Sequence, residues 1–142
     1  MARYVSTVNS TRGVEETFDY LADFSSVREW DPSVVRAELL DPAPGLGARF
    51  AVTVRFAGRE TELTYRTTEF ERPRRVVLVA ESSTVTSEDT ITFEPAGAGS
   101  AVTYDANLRL RGPLKLADPV LGLLFKKLGD DAAAGLRREL GG

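Results

Sequence analysis

The segment RFAVTVRF at residues 49–56 carries an apolar side chain at every second position. Successive side chains of a β-strand point to opposite faces, so this spacing predicts a strand with one apolar face and one polar face. Residues 102–110 repeat the pattern, with one side formed by Val102, Tyr104, Ala106, Leu108 and Leu110. Both segments predict strands of a sheet that is buried on one face and meets water on the other.

Further strands are predicted on either side of these two segments. Between residues 34 and 111, turn signals rich in Gly, Pro, Asp and Ser divide the chain into six strands. The connections between them are short, which implies antiparallel neighbours. Residues 4–11 contain several β-branched side chains and predict a first strand ahead of the six.

Three segments carry apolar residues at helical spacing. Residues 14–22 predict a short amphipathic helix, and residues 25–30 predict a second one that ends at Asp31-Pro32. Asp118-Pro119 is a helix start signal, and the pattern stays helical to the end of the chain. The apolar stripe of this long C-terminal helix consists of Leu121, Leu124, Phe125, Leu128, Ala132, Leu136 and Leu140.

Two features of the C-terminal helix leave alternatives open. Gly122, Gly129 and Gly135 lie inside it, at a cost of roughly 1 kcal/mol each relative to alanine. They indicate either room for a ligand or, alternatively, close packing of the helix against the sheet or positions where glycine is simply tolerated. Residues 120–125 are apolar nearly all round, which predicts burial under the sheet or, alternatively, a surface that contacts lipid or a second copy of the chain.

Composition excludes several classes of chemistry. The chain has 142 residues, no cysteine, no histidine and a net charge of −3. This length suits one domain, residues 1–142. The two absent residue types exclude thiol nucleophiles, histidine-containing triads, Cys/His zinc sites and iron–sulfur clusters.

The acidic balance of charged residues disfavours nucleic-acid binding. With neither a secretory leader nor a spanning apolar stretch evident, we expect a cytoplasmic protein without a transmembrane segment.

The order of predicted elements resembles the helix-grip fold of the START-like, or SRPBCC, superfamily over essentially the whole chain. The resemblance rests on WDP at residues 30–32, GARF at 47–50, EFERPRR at 69–75 and RGPL at 111–114. Within the superfamily the chain is most similar to small bacterial polyketide cyclase/dehydrase-like proteins. The resemblance implies an α+β fold in which a curved antiparallel sheet of about seven strands wraps around a long C-terminal helix, with two short helices after the first strand.

The resemblance also implies an internal cavity, between the sheet and the C-terminal helix, that holds an apolar or amphipathic small molecule. Neither a cofactor nor a metal is expected. The predicted ligand-binding residues are Trp30, Phe50, Val52, Val54, Tyr65, Tyr104, Leu108, Leu121, Leu124, Phe125 and Leu128. Trp30 is interpreted either as a cavity wall or as a core aromatic residue. Tyr65 and Tyr104 either point a hydroxyl into the cavity or pack their rings and reach water.

Catalytic candidates are few. Glu81 and Asp89 share strand faces with apolar residues, and if they are buried they would act as proton acceptors together with Tyr104. The alternative is that both acids lie near a hairpin tip and are exposed to solvent. Arg66 and the other strand arginines are expected on the wet face. Three hypotheses remain open: a binding or transfer protein for a lipid, isoprenoid or polyketide; a polyketide cyclase or dehydratase; and a partner-regulating module without a ligand, acting through the loop at residues 42–47. A homodimer is also possible.

Overall fold

Seven strands form one antiparallel sheet in the computed structural model, which describes residues 2–56, 58–112 and 118–141, with the backbone alone for residues 118–121. The strands are β1 (Ala2–Ser10), β2 (Val34–Leu39), β3 (Arg49–Phe56), β4 (Arg59–Glu71), β5 (Arg75–Glu81), β6 (Val85–Ala96) and β7 (Gly99–Leu110). Their order in the sheet is β1-β7-β6-β5-β4-β3-β2. The sheet is curled into a half-barrel, as the fold prediction requires.

Three α-helices accompany the sheet. The first, α1 (Val14–Ala22), follows β1. A 3₁₀ turn (Phe24–Ser26) runs into the short α2 (Val27–Trp30), and α3 (Asp118–Leu140) closes the described part of the chain. Both short helices and the long one stand where the apolar spacing predicts them. None of the described helices is long and apolar enough to cross a membrane.

The helix α1 fills one end of the curled sheet. Phe18, which is fully buried, packs edge-on against Phe70 of β4 at 5.2 Å and Phe93 of β6 at 5.0 Å between ring centroids. Pairs in this geometry contribute about 0.5–1.5 kcal/mol beyond the area that they bury. This aromatic cluster closes the interior at the end of the sheet near α1.

The helix α3 lies across β1 and α2, and two of its glycines permit close approach. A Cβ on Gly129 would lie 2.4 Å from the Tyr4 ring, and one on Gly135 would lie 1.9 Å from the carbonyl oxygen of Trp30. Gly129 therefore shows the close packing against the sheet that was one interpretation of these glycines, whereas Gly135 packs against α2 instead. Gly122 differs, because a Cβ there meets no atom of the described residues within 4 Å.

The beginning of α3 corrects one expectation. Leu123 is 78% exposed and Leu124 is 42% exposed, so the burial predicted for residues 120–125 does not extend to these two leucines. Successive residues of a helix point about 100° apart. Because Phe125 and Leu128 turn toward the interior, Leu123 and Leu124 point away from it. The side chains of residues 120 and 121 lie outside the described residues.

Candidate functional site

A cavity of about 210 Å³ lies between the curled sheet, α2 and α3. Its wall is mainly apolar, with strand residues on one side and α3 residues on the other. Of the predicted ligand-binding residues, the structure places in this wall Trp30, Val52, Val54, Tyr65, Tyr104, Leu108, Phe125 and Leu128. The alternation along β3 and β7 brings these strand residues together, because their shared face is the inner face of the sheet.

Three predicted residues are not shown in the wall. Phe50 is fully buried, and the centroid of its ring lies 6.2 Å from that of Phe24. It therefore belongs to the hydrophobic core at the start of β3 and not to the cavity wall. Leu124 is exposed because it lies about 100° around the helix from Phe125. The side chain of Leu121 lies outside the described residues.

Asp89 is the best-defined polar group of the cavity. It lies on β6 opposite Leu78, is 8% exposed, and accepts a 2.6 Å hydrogen bond at its Oδ2 atom from the Tyr104 hydroxyl. Burial raises the pKa of Asp89 from 3.8 to about 7, against the effect of the Tyr104 hydrogen bond and with a smaller contribution from the negative charge of Asp31. The carboxyl group is therefore able to change its protonation state near neutral pH.

One ring contact and one hydrogen bond define the surroundings of this carboxyl group. The Trp30 and Tyr104 rings meet edge-on, with centroids 5.4 Å apart. The hydroxyl of Tyr65 is hydrogen-bonded to Ser87 Oγ at 2.8 Å, two residues before Asp89 on the same strand face. Burial raises the pKa of Tyr65 and of Tyr104, so both phenols stay protonated and act as hydrogen-bonding groups.

Glu81 does not enter the cavity, which corrects the expectation that it lies among inward apolar residues. It shares a strand face with Val77 and Val79, as its spacing indicates, but the inner face of β5 carries Leu78 and Ala80. Glu81 is consequently exposed on the outer face. Arg66 is exposed too, as expected, since its neighbour Tyr65 points inward.

Asp31 is a wall residue that sequence reasoning missed. Its carboxylate accepts hydrogen bonds from the backbone N–H and the hydroxyl of Ser33, at 2.9 and 2.8 Å. Burial raises the pKa of Asp31 despite these two bonds. In the sequence, Asp31 precedes Pro32 and indicates only the end of a helix, so no local signal placed it beside a cavity. Ala106 and Ala132, by contrast, continue the apolar patterns of β7 and α3 and could have been added to the wall.

The described residues hold no cluster of acidic side chains suited to a metal ion. The main polar groups among the described wall residues are two carboxyl groups, of Asp31 and Asp89, and the phenols of Tyr65 and Tyr104. Such a set can orient a polar group of a ligand by hydrogen bonding and can hold or accept a proton at Asp89.

Protonation of Asp89 makes the stability of the fold depend on pH. Below its ordinary pKa of 3.8 the group is protonated in both the folded and unfolded states. As pH rises from there toward about 7, only the unfolded chain releases the proton, so the free energy of unfolding falls. At roughly 1.4 kcal/mol per pKa unit, this loss is on the order of 4 kcal/mol by neutral pH.

Asp89→Asn removes the ionisation and keeps an acceptor for the Tyr104 hydroxyl. We expect its free energy of unfolding, relative to wild type, to rise between pH 4 and pH 8 in urea titrations. Glu81→Gln, which removes an exposed carboxylate from the outer face of β5, is the control, and we expect the rise in Asp89→Asn to exceed any change in this variant. An Asp89→Asn difference that is the same at both pH values would contradict the raised pKa.

Together, the curled sheet, the C-terminal helix that it grips and the apolar cavity between them define a helix-grip protein. The chain belongs to the family described as polyketide cyclase/dehydrase and lipid transport, whose sequence profile matches residues 1–141. No curated protein sequence matches the chain.

Solved structures share the fold at low sequence identity. A START superfamily protein from Mycobacterium smegmatis has a TM-score of 0.81 and 13% identity, over 99% of this chain and 98% of that one. A protein from Thermus thermophilus has a TM-score of 0.78 and 17% identity, over 98% and 95%. The di-domain ARO/CYC protein BexL, from the BE-7585A biosynthetic pathway, has a TM-score of 0.73 and 14% identity; the match covers 99% of this chain and 50% of BexL.

Proposed function

We propose that the protein binds an apolar or amphipathic small molecule, such as a lipid, isoprenoid or polyketide, and holds it for transport or sequestration. The observation that carries this proposal is the cavity of about 210 Å³ with its mainly apolar wall. An engineered apolar cavity of about 150 Å³ binds benzene, so the space here suits a ligand larger than a single ring. Membership of a family that includes lipid-transport proteins supports the same class of ligand.

Small residues keep the cavity open. Ala106 on β7, and Ala132 and Ala133 on α3, all line it. Protein interiors are otherwise filled to the density of organic crystals, and larger side chains at these positions would gain dispersion contacts. A bound apolar molecule would supply the contacts that these side chains leave unmade.

We infer that the ligand enters at the end of the cavity where β3 and β4 are joined. Among its wall residues, Arg55 and Thr61 are exposed, and both lie close to the turn that joins the two strands. Arg55 is held there by a 2.8 Å ion pair with Glu60. Ligand exchange through this end requires no opening of the aromatic cluster around Phe18 at the other end.

Cyclase or dehydratase activity on a polyketide-like substrate is the second candidate function. The observation in its favour is the hydrogen bond between Tyr104 and Asp89 inside the cavity, since a carboxyl with a pKa near 7 is suited to accept a proton from a ketone. Under this function Asp89→Asn would retain ligand binding and lose turnover of a poly-ketone. Turnover at the wild-type rate in that variant would reject the assignment.

The binding proposal is tested by titration with N-phenyl-1-naphthylamine, a dye that is neutral at pH 7 and brightens in apolar surroundings. Trp30 is the only tryptophan and lines the cavity, so it reports the bound dye by energy transfer. We expect saturable binding of one dye per chain with quenching of Trp30 emission. Failure of the dye and of a panel of lipids to bind would reject the proposal.

A further inference from the structure

We propose that the ligand carries a protonated amine and that Asp89 binds the ammonium group inside the cavity. This inference rests on the proposed binding function and adds the chemical class of the ligand's polar end. It is argued from the hydrogen bonds, the charges and the aromatic rings around Asp89.

The hydrogen bonding of Asp89 leaves one oxygen for a ligand. Its Oδ2 atom accepts the 2.6 Å hydrogen bond from Tyr104, which fixes the orientation of the carboxylate. Its Oδ1 atom accepts no hydrogen bond from the described residues, although the side chain is more than nine-tenths buried and lines the cavity. Since Asp89 lines the cavity and this oxygen has no donor among the described residues, a ligand N–H group can hydrogen-bond to it, and a charged donor does so most strongly.

The charges in the wall favour a cation. Asp31 is a second carboxyl group in the same wall, and its described hydrogen-bond donors, both on Ser33, are neutral. The described wall residues of α3 are uncharged, and Tyr65 and Tyr104 face Asp89 from β4 and β7 as protonated phenols. Among the described wall residues, the one basic side chain is Arg55, which stands at the exposed end paired with Glu60.

Aromatic rings beside the carboxylate strengthen the same preference. Trp30 and Tyr104 both line the cavity, with their ring centroids 5.4 Å apart, and Tyr104 also contacts Asp89 directly. The faces of such rings attract cations, most strongly where water is excluded. The carboxylate itself suits an ammonium group better than a neutral hydroxyl, since its hydrogen bonds to the ammonium are charge-assisted on both sides.

Three naphthalene probes of similar shape separate the possibilities: 1-naphthylmethylamine, which is cationic at pH 7.5, neutral 1-naphthalenemethanol, and anionic 1-naphthoate. Each is titrated against bound N-phenyl-1-naphthylamine at low ionic strength. We expect the amine to displace the dye with an affinity at least tenfold above that of the alcohol, and the naphthoate to compete most weakly. In Asp89→Asn the amine should lose this advantage while the alcohol changes less than threefold.

Glu88→Gln removes a neighbouring carboxylate from the outer face and is the matched control; it should keep the preference for the amine. Equal or tighter binding of the alcohol or the naphthoate by the wild-type protein overturns the inference, as does an amine preference that survives in Asp89→Asn. Should Asp89→Asn fail to fold, the wild-type comparison of amine and alcohol decides by itself. If the dye binds but the amine has no advantage, this inference alone fails, whereas absence of all binding rejects the proposed function as well.

Discussion

Gly135→Ala is expected to lower the free energy of unfolding by about 3 kcal/mol, an overpacking cost at the upper end of those seen in cores. For a chain of this length such a loss corresponds to a fall in melting temperature of about 10 °C. The added Cβ would lie 1.9 Å from the carbonyl oxygen of Trp30 and 2.9 Å from its carbonyl carbon. Because the obstacle is backbone at the end of α2, no side-chain rotation relieves it, and α3 must move away from α2.

Gly122→Ala makes the same chemical change in the same helix and is the control. Its Cβ meets none of the side chains that the structure describes within 4 Å, and the position is exposed. Alanine is favoured over glycine inside a helix, so this variant is expected to gain about 0.5–1 kcal/mol. Both values are measured by urea denaturation followed by circular dichroism. Similar stabilities for the two variants would show that α3 does not pack on α2 as described.

The second large effect is expected for Ala106→Phe, which should weaken dye binding at least about 100-fold, or about 2.7 kcal/mol. Ala106 lies between Tyr104 and Leu108 on the inner face of β7 and lines the cavity. A phenyl ring at this position would fill much of the 210 Å³. Since the ring is buried against apolar side chains, we expect the melting temperature to stay the same or to rise.

Ala101→Phe places the same ring on the same strand but on the outer face, because Val102 next to it is buried inward. This control should bind the dye as wild type does. Wild-type affinity in Ala106→Phe, or equal losses in both variants, would place the dye outside the cavity.

Alternation along the chain predicted most of the sheet and much of the cavity wall, because side-chain period fixes which residues share a face. It did not fix which face is the inner one. Glu81 shows this: its period-two relation to Val77 and Val79 is correct, yet their face is the outer one. The pairing of β5 with β6 shows which face of β5 is the inner one, since Leu78 lies opposite the buried Asp89.

The sequence also did not predict which inward-facing residues line the cavity and which pack in the core. Phe50 and Val52 are two residues apart on one buried face, but Phe50 packs in the core and Val52 lines the cavity. Whether an inward-facing residue lies in the core or in the cavity wall depends on where α3 and α2 cross the curled sheet. Asp31 lines the cavity for the same reason, because the turn that contains it is brought under α3 by the close approach of Gly135 to Trp30.

The most direct test of a ligand-binding cavity is a nuclear magnetic resonance titration of methyl-labelled protein with N-phenyl-1-naphthylamine. We predict that one equivalent shifts the methyl signals of the wall residues Ala106, Leu108 and Ala133 and leaves that of Ala101 unchanged. Shifts confined to the exposed Leu123 and Leu124, or no shifts at all, would contradict binding in the cavity.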